Sequence, residues 1–414
     1  MTDLIDGGKK TNMKGMRARK LILSVAAMFF LLVVCGYTAA EDSRKLTIMV
    51  YMCGSELESE YGSASEDIRE MINCRCLPDS TTVVVMLGGS KKWTQYPGLK
   101  GNSILEIQGS RNRMDDKTIV TWMNMGEPNT LEWLLKYGTK KYPAEDYALI
   151  LWDHGGGPMG GVCWDELFSD DHMTLAELMK GLRDGWHQEK KLSWIGFDAC
   201  LMGSAEVAVA VAPYAEYMIA SQETEPAKGW NYAFLKEASG DGAATGRIIV
   251  DSYFDGLKGS SDSLTMACID LAKMDLLIQQ MDSYFSEIDS RTDQDHFEEL
   301  SRVRYSSIGF GKAVRAVGVE GYDLVDLADL IARYGGNNTA VSRALQEAIV
   351  YVRSDNGSAC GLSVYHPYFN REKYLESWRD YYRRLDFSPM YSRYLEHFGA
   401  ILTGEKWRIC SLGG

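Results

Sequence analysis

The stretch "LILWDHGGGPMGG" at 149–161 runs four apolar residues into Asp153 and His154, then gives five of its next seven positions to glycine. A continuous apolar run without alternation reads as a strand covered on both faces. Such a strand ends here in an imidazole on backbone freed of side chains, which lets another chain approach closely. Working outward, strands of the same kind recur: "KLTIMVYMC" (45–53) and "TTVVVMLGG" (81–89) before it, "LSWIGFD" (192–198) and "YMIASQE" (217–223) after it. Helical segments lie between them. "ASEDIREMINC" (64–74) places Ile68, Met71 and Ile72 at helical spacing, and "NTLEWLLKYGTKKY" (129–142) offers Asn129 or Thr130 as a cap. "MTLAELMKGLRDGWHQ" (173–188) and "MGSAEVAVAVA" (202–212) complete the series. Strand, helix and strand at short spacing predict an α/β fold, a mainly parallel sheet flanked by helices. Residues 89–128 break the rhythm and read as a surface hairpin.

From about 240, in "ASGDGAATG", the chain becomes more helical, with "LTMACIDLAKMDLLIQQMDSYFSEI" (264–288) and "DLVDLADLIARY" (323–334). Isolated strand candidates remain at 264–270 and in "CGLSVYHPY" (360–368). The expected division is therefore a leader over 1–40, an α/β domain over 41–240, and a C-terminal α+β region over 241–414 packed on or extending it. The leader consists of Lys9, Lys10, Lys14, Arg17, Arg19 and Lys20 followed by "LILSVAAMFFLLVVCGYTAA" (21–40). A basic cluster, an apolar run and small residues at Thr38 and Ala40 read as an export signal. An uncleaved anchor, or lipidation at Cys35 behind the bulky Val34, is the alternative.

The formal charge of −13 over 414 residues argues against nucleic acid or an anionic membrane surface as partner. Nine cysteines in a chain this long do not make a disulfide scaffold. "CRC" at 74–76 lacks the paired spacing of a zinc site, and no metal ligand set is read anywhere.

Ligands meet open α/β sheets beyond the carboxyl ends of the strands. Two strands end in reactive side chains: one in His154, the next in "FDACLMGSAEVA" (197–208), which presents Asp198 and Cys200 ahead of a helix. A thiol near a helix N-terminus is expected to ionise more readily, and a neighbouring imidazole can protonate a leaving amine. The amides of Gly155 and Cys200 are the candidate donors to an oxyanion. Taken singly, His154 reads as a solvated turn residue and Cys200 as a buried structural thiol. Their position at equivalent ends of candidate neighbouring strands favours a site. Cys163 ends no strand and heads no helix; His366, before Pro367, reads as a packing residue, and His172, His187, His296 and His397 have no nucleophile in a nearby motif. "GGSKKW" (88–93) lacks the order of a phosphate loop.

Several long segments, in order, carry a resemblance: "TIMVYMCGSELESEYGSASEDI" (47–68), "NMGEPNTLEWLLKYGTKKYPAEDYALILWDHGGG" (124–157), "GFDACLMGSAEVA" (196–208), "SQETEPAKGWNY" (221–232) and "GLSVYHP" (361–367). Together they resemble the clostripain family of cysteine peptidases, whose fold is caspase-like. The resemblance implies His154 as catalytic histidine, Cys200 as nucleophile, and Gly155 and Cys200 as backbone oxyanion donors. It also implies cleavage of protein or peptide substrates after Arg or Lys, with Asp198 at the floor of the first specificity pocket. Glu223, Glu225 and Trp230 are further candidates for that pocket. No cofactor is required by this chemistry; calcium is left open, although "DELFSDD" (165–171) lacks the ligand spacing of an EF-hand loop. Some relatives mature by cutting themselves between histidine and nucleophile, but here no Lys or Arg follows His154 until Lys180. Arg183, Lys190 and Lys191 are the remaining candidates for such a cut. The competing readings are a non-catalytic peptide-binding or surface-interaction protein on the same scaffold and, more remotely, a metal-dependent hydrolase.

Overall fold

The computed structural model describes residues 44–404 apart from 74–76, 98, 100, 110, 121, 261–262, 312–321, 336–338, 356 and 358, with backbone alone over 111–120. The leader over 1–40 lies outside the described residues. Among the described residues no helix is long and apolar enough to cross a membrane.

Nine strands form one sheet: β1 (Leu46–Cys53), β2 (Thr81–Gly88), β3 (Asn102–Gln108), β4 (Arg111–Val120), β5 (Asp146–Trp152), β6 (Leu192–Asp198), β7 (Ala215–Ala220), β8 (Thr265–Asp270) and β9 (Ile349–Ser354). Their order is β9-β8-β7-β6-β5-β1-β2-β3-β4. The five central strands, β2-β1-β5-β6-β7, are parallel, and an antiparallel pair extends each edge. Every residue of β1 and β2 is buried, as their unbroken apolar sequences require.

Helices cover both faces. On one side Ile48, Val50 and Met52 of β1 meet Ile68 and Met71 of α2 (Ser63–Asn73), which follows a short helix α1 (Ser55–Ser59). On the other, Met49, Tyr51 and Cys53 meet Leu131, Leu134 and Leu135 of α3 (Pro128–Lys141) and Leu175, Leu178 and Leu182 of α4 (Leu175–Gly185). Helix α3 starts earlier than expected, with Glu127 at the N-cap, two residues before Asn129 and three before Thr130, and Pro128 in the first turn. Proline's fixed φ and missing N–H suit that turn, and the Thr130 hydroxyl donates instead to the Asn124 carbonyl. Helix α4 opens on a capping box formed by Thr174 and Glu177. The hairpin expected at 89–128 is present as β3 and β4, but it extends the sheet through β2 rather than standing apart on the surface.

The chain beyond 240 joins the same architecture. Following α5 (Ala205–Val211) and α6 (Gly242–Gly256), β8 pairs with β7 and β9 with β8. Helices α7 (Met274–Asp289) and α8 (Pro389–Thr403) pack through Phe285, whose ring meets Tyr391 edge-on at 4.5 Å. Truncating an aromatic side chain buried this way costs about 3–5 kcal/mol. From Arg44 onward the chain is one compact unit. A small sheet of Gly309–Phe310, Leu324–Asp326 and Ser363–Tyr365 ties this half to the loop after β6, since Ser363 N donates to the Gly203 carbonyl at 2.8 Å.

Candidate active site

In the pairing of β5 with β6, Trp152 lies opposite Asp198. Residues 153–155 and 199–201 therefore leave the sheet side by side. A Cβ on residue 155 would fall 2.2 Å from the Cys200 carbonyl oxygen, so only glycine allows the two loops to touch. Gly157 and Gly161 turn the chain at φ +62° and +69°, conformations that L side chains rarely adopt. This accounts for the glycines that follow His154: they let its loop close against the loop that carries Cys200.

The His154 side of the site is fixed by carboxylates. His154 Nε2 lies 2.5 Å from Glu56 Oε1, on the short helix α1 that follows β1. Burial pulls the imidazole pKa down, but the hydrogen bond to Glu56 and the charges of Asp153, Glu56 and Asp170 lift it on balance above the ordinary histidine value. Glu56 is in turn held below the usual glutamate value, chiefly by the same hydrogen bond. Asp153 is buried and accepts from Ser55 Oγ at 2.6 Å and from Trp164 N at 2.5 Å. Burial pushes its pKa up to about 7. Neither Glu56 nor Asp153 was among the site residues expected from sequence. The available signal was that "CGSE" (53–56) also lies at the carboxyl edge of a buried parallel strand.

Cys200 occupies a different environment. Its sulfur accepts from Glu225 N at 3.2 Å and lies 3.8 Å from the Glu225 carbonyl. Burial, then the carboxylates of Glu225, Glu223 and Asp198, push the thiol pKa up to about 12. The expected lowering by a helix N-terminus is not met. Helix α5 begins only at Ala205, capped by Ser204, and the helix dipole fades within its first turn. The loop between is held instead by neighbouring backbone: Leu201, at φ +66°, donates to the Glu223 carbonyl, and Gly203 N to the Ser221 carbonyl at 2.7 Å.

The four pocket candidates take three kinds of place. Asp198 is buried, accepts from Trp230 N at 3.1 Å and Tyr232 OH at 2.8 Å, and is pushed by burial to about 7. Both Glu225 carboxylate oxygens are closed off from solvent, beside the Asp198 carboxyl, the Ala199 amide and the Trp230 indole. Burial and then the Asp198 charge hold its pKa well above the usual carboxylate range. The Tyr253 hydroxyl, which feels both carboxylates and Cys200, is buried with no hydrogen-bond partner among the described residues. Glu223, by contrast, is engaged: Oε1 accepts from Gly311 N and Thr224 N, each at 2.8 Å, which anchors the small sheet beside the site. Trp230 is fully buried beneath the strand, where a Cβ on Gly196 would fall 2.7 Å from its ring.

A cavity of about 570 Å³ is lined by His154, Gly155, Cys200, Leu201, Thr224 and Tyr322 together with Glu56, Glu60, Glu166, Asp170, Lys91 and Trp164; Asp198, Glu223, Glu225 and Trp230 are not among its lining residues. Cys163 is not among its lining residues; it is buried at φ +64° in the hairpin after the glycines, and burial raises its thiol pKa. His366 is buried against Tyr394 OH at 2.8 Å, in a packing position. His172 stacks on Trp164, His296 pairs with Asp293, and His397 with Asp289. Among the described residues no group of three His, Cys, Asp or Glu side chains could hold a metal ion. Arg183 lies on α4, and Lys190 and Lys191 immediately precede β6. Those two lysines are separated from Cys200 by the length of that strand, roughly 25 Å at about 3.3 Å per residue.

Comparison with known proteins bears on the family and the fold. The clostripain family model matches residues 50–394, from inside β1 to inside α8. Clostripain from Hathewaya histolytica is 27% identical over 218 residues, a match spanning 46% of this chain and 41% of that protein. The chain thus matches less than half the length of that relative. The structure of a secreted C11 cysteine protease from Bacteroides thetaiotaomicron, in complex with an irreversible peptide inhibitor, superposes with a TM-score of 0.62 at 17% identity, covering 83% of this chain and 99% of that one. An inactive zymogen C11 protease from Parabacteroides distasonis gives 0.63 at 19% identity, covering 82% and 97%. At those identities the likeness establishes a shared fold, and the family match covers most of the sequence. The chain belongs to the clostripain family.

Proposed function

We propose that the protein is an exported cysteine endopeptidase that cleaves peptide bonds after Arg or Lys. The observation that carries this reading is the juxtaposition of His154 and Cys200 at adjacent strand ends, near the buried carboxyls of Asp198 and Glu225. A guanidinium or ammonium group entering beside Asp198 and Glu225 would supply a charge partner for two carboxyls that burial disfavours as anions.

As substrate binds, the Cys200 proton passes to His154 and the sulfur attacks the carbonyl carbon. The tetrahedral oxyanion accepts from the amides of Gly155 and Cys200. The imidazolium then gives its proton to the leaving amine as the C–N bond breaks, leaving a thioester on Cys200. Water attacks the thioester, losing its proton to His154, and the acid departs with return of that proton to the thiol. These steps need no cofactor. Export rests on the basic and apolar order of residues 1–40. Substrates are then proteins or peptides with a basic residue at the cut.

Peptidyl chloromethyl ketones ending in Arg, Lys, Asp or Leu, followed by mass mapping of the adduct, test the assignment. Adducts on Cys200 from the Arg or Lys reagent, blocked by Cys200→Ala, are expected. Labelling on another residue, or equal labelling by all four reagents, would contradict it.

A further inference from the structure

We propose that Glu56 is the positioning residue of the His154 imidazole: by holding Nε2 it assigns Nδ1 to the Cys200 proton and the leaving amine. This rests on the peptidase reading above. An imidazole has two nitrogens, and the one hydrogen-bonded to a carboxylate is committed as a donor, which fixes both tautomer and ring plane. With Nε2 2.5 Å from Glu56 Oε1, Nδ1 is the nitrogen left for chemistry in the cavity that His154 and Cys200 share.

The chain holds Glu56 rigidly for this purpose. Ser55 adopts φ +45°, a left-handed conformation uncommon for serine, and its hydroxyl donates to Asp153, the residue before His154. Two consecutive residues at the end of β1 thus grip two consecutive residues at the end of β5. One turn further on, Glu58 is buried and accepts from Ser65 N at 2.8 Å, Ser65 Oγ at 2.7 Å and Thr94 N at 2.6 Å. Ser59 Oγ donates to Glu166 at 3.0 Å. The helix bearing Glu56 is therefore clamped on both sides.

The other charged and titratable groups around the imidazole are Asp153 on its own loop, Asp170 and Glu166 from the hairpin after the glycines, and Glu60 just beyond the end of α1. Lys91 also lines the cavity but is paired with Glu166 at 3.3 Å, and Cys200 and Tyr322 close the opposite wall. Of these, Glu56 alone makes a direct hydrogen bond to the ring among the described residues.

The test combines two readouts on the full chain. NMR titration of His154 in a Cys200→Ala background, with and without Glu56→Gln, reads the hold on the ring independently of activity. Steady-state kcat and KM across pH, for wild type, Glu56→Gln and Glu56→Asp, read its catalytic consequence. Glu56 is 41% exposed, so the variants should fold and their melting temperatures check this. The expected result is a downward shift of the His154 titration by about one unit in Glu56→Gln, within the range that such neighbours produce. kcat should fall about 10–100-fold with KM within about twofold, the alkaline limb should move to lower pH, and Glu56→Asp should recover part of the loss. An unchanged His154 titration, or a loss of activity with an unshifted profile, would overturn the proposal. A wild type that cleaves nothing would defeat the peptidase reading instead, while the titration would still decide whether Glu56 holds the ring.

Discussion

The loops carrying His154 and Cys200 leave neighbouring strand ends, yet carboxylates act on them to different effect. Around His154, Glu56 and Asp153 favour the charged imidazolium that a general acid needs. Around Cys200, Glu225, Glu223 and Asp198 disfavour the thiolate that a nucleophile needs, and burial adds to them. In the unliganded site the thiol therefore keeps its proton. The difference teaches that carboxylates packed beside a buried thiol suppress its ionisation. Under the proposed function, the basic side chain of the substrate both anchors itself and relieves that repulsion.

The comparison breaks most severely if the wrong thiol carries the chemistry. Cys200→Ala is expected to lower peptidase activity by at least about 1,000-fold, as removal of a covalent nucleophile does, while Cys163→Ala retains activity within about twofold. The reverse pattern, read by hydrolysis of a lysyl or arginyl peptide, would move the site into the hairpin. Next in size is Asp198→Asn. It should reduce kcat/KM on arginyl peptides about 100-fold, which is about 2.7 kcal/mol of transition-state binding. The same change removes one carboxylate that raises the thiol pKa, so alkylation of Cys200 by iodoacetamide should shift to lower pH. A shift to higher pH would refute the repulsion argument.

Gly155→Ala sharpens the geometric half of the comparison. Its methyl group would collide with the Cys200 carbonyl, so kcat should drop about 10-fold or more with the two loops forced apart. Wild-type rates would show that the loops do not need to touch. The smallest effect concerns stability. Asp153, Asp198 and Glu206 each have a folded-state pKa raised to about 7 by burial. A carboxyl raised in this way holds its proton more tightly when folded, so its contribution is complete below about pH 4 and is lost as pH rises through about 7. The melting temperature should therefore fall by a few degrees between pH 5 and pH 8, and Glu206→Gln should flatten that slope. Glu206 suits this test because it accepts from Tyr365 N and Tyr382 OH, each at 2.9 Å, and is away from the cavity. A melting temperature that rises over the same interval would contradict the assignment.

The central strands were legible because both their faces are buried, which leaves uninterrupted apolar runs such as "TIMVYM" and "ALILW" in the sequence. The edges were not. Strand β9 is only half-buried along its length, and its short run "IVYV" (349–352) follows helical sequence without a break, while the place of β3 and β4 depends on a neighbour in the sheet rather than on their own pattern. The same distinction governs the site. His154 and Cys200 end strands whose sequences announce them. Glu56 becomes a partner of His154 only because β1 lies beside β5, although 98 positions separate the two residues in sequence. The protonation of Cys200 was misjudged for a related reason: the helix was assigned too close to the thiol, and the carboxylates that surround it come together only through tertiary packing.

The most direct measurement is steady-state hydrolysis of fluorogenic peptides that differ only in the residue before the cut, Arg, Lys, Asp or Leu, by the full chain and by its Cys200→Ala variant. Cleavage confined to the Arg and Lys peptides, and abolished without the Cys200 sulfur, is the result expected. Cleavage that persists in Cys200→Ala, or that favours the Asp or Leu peptide, would contradict the account.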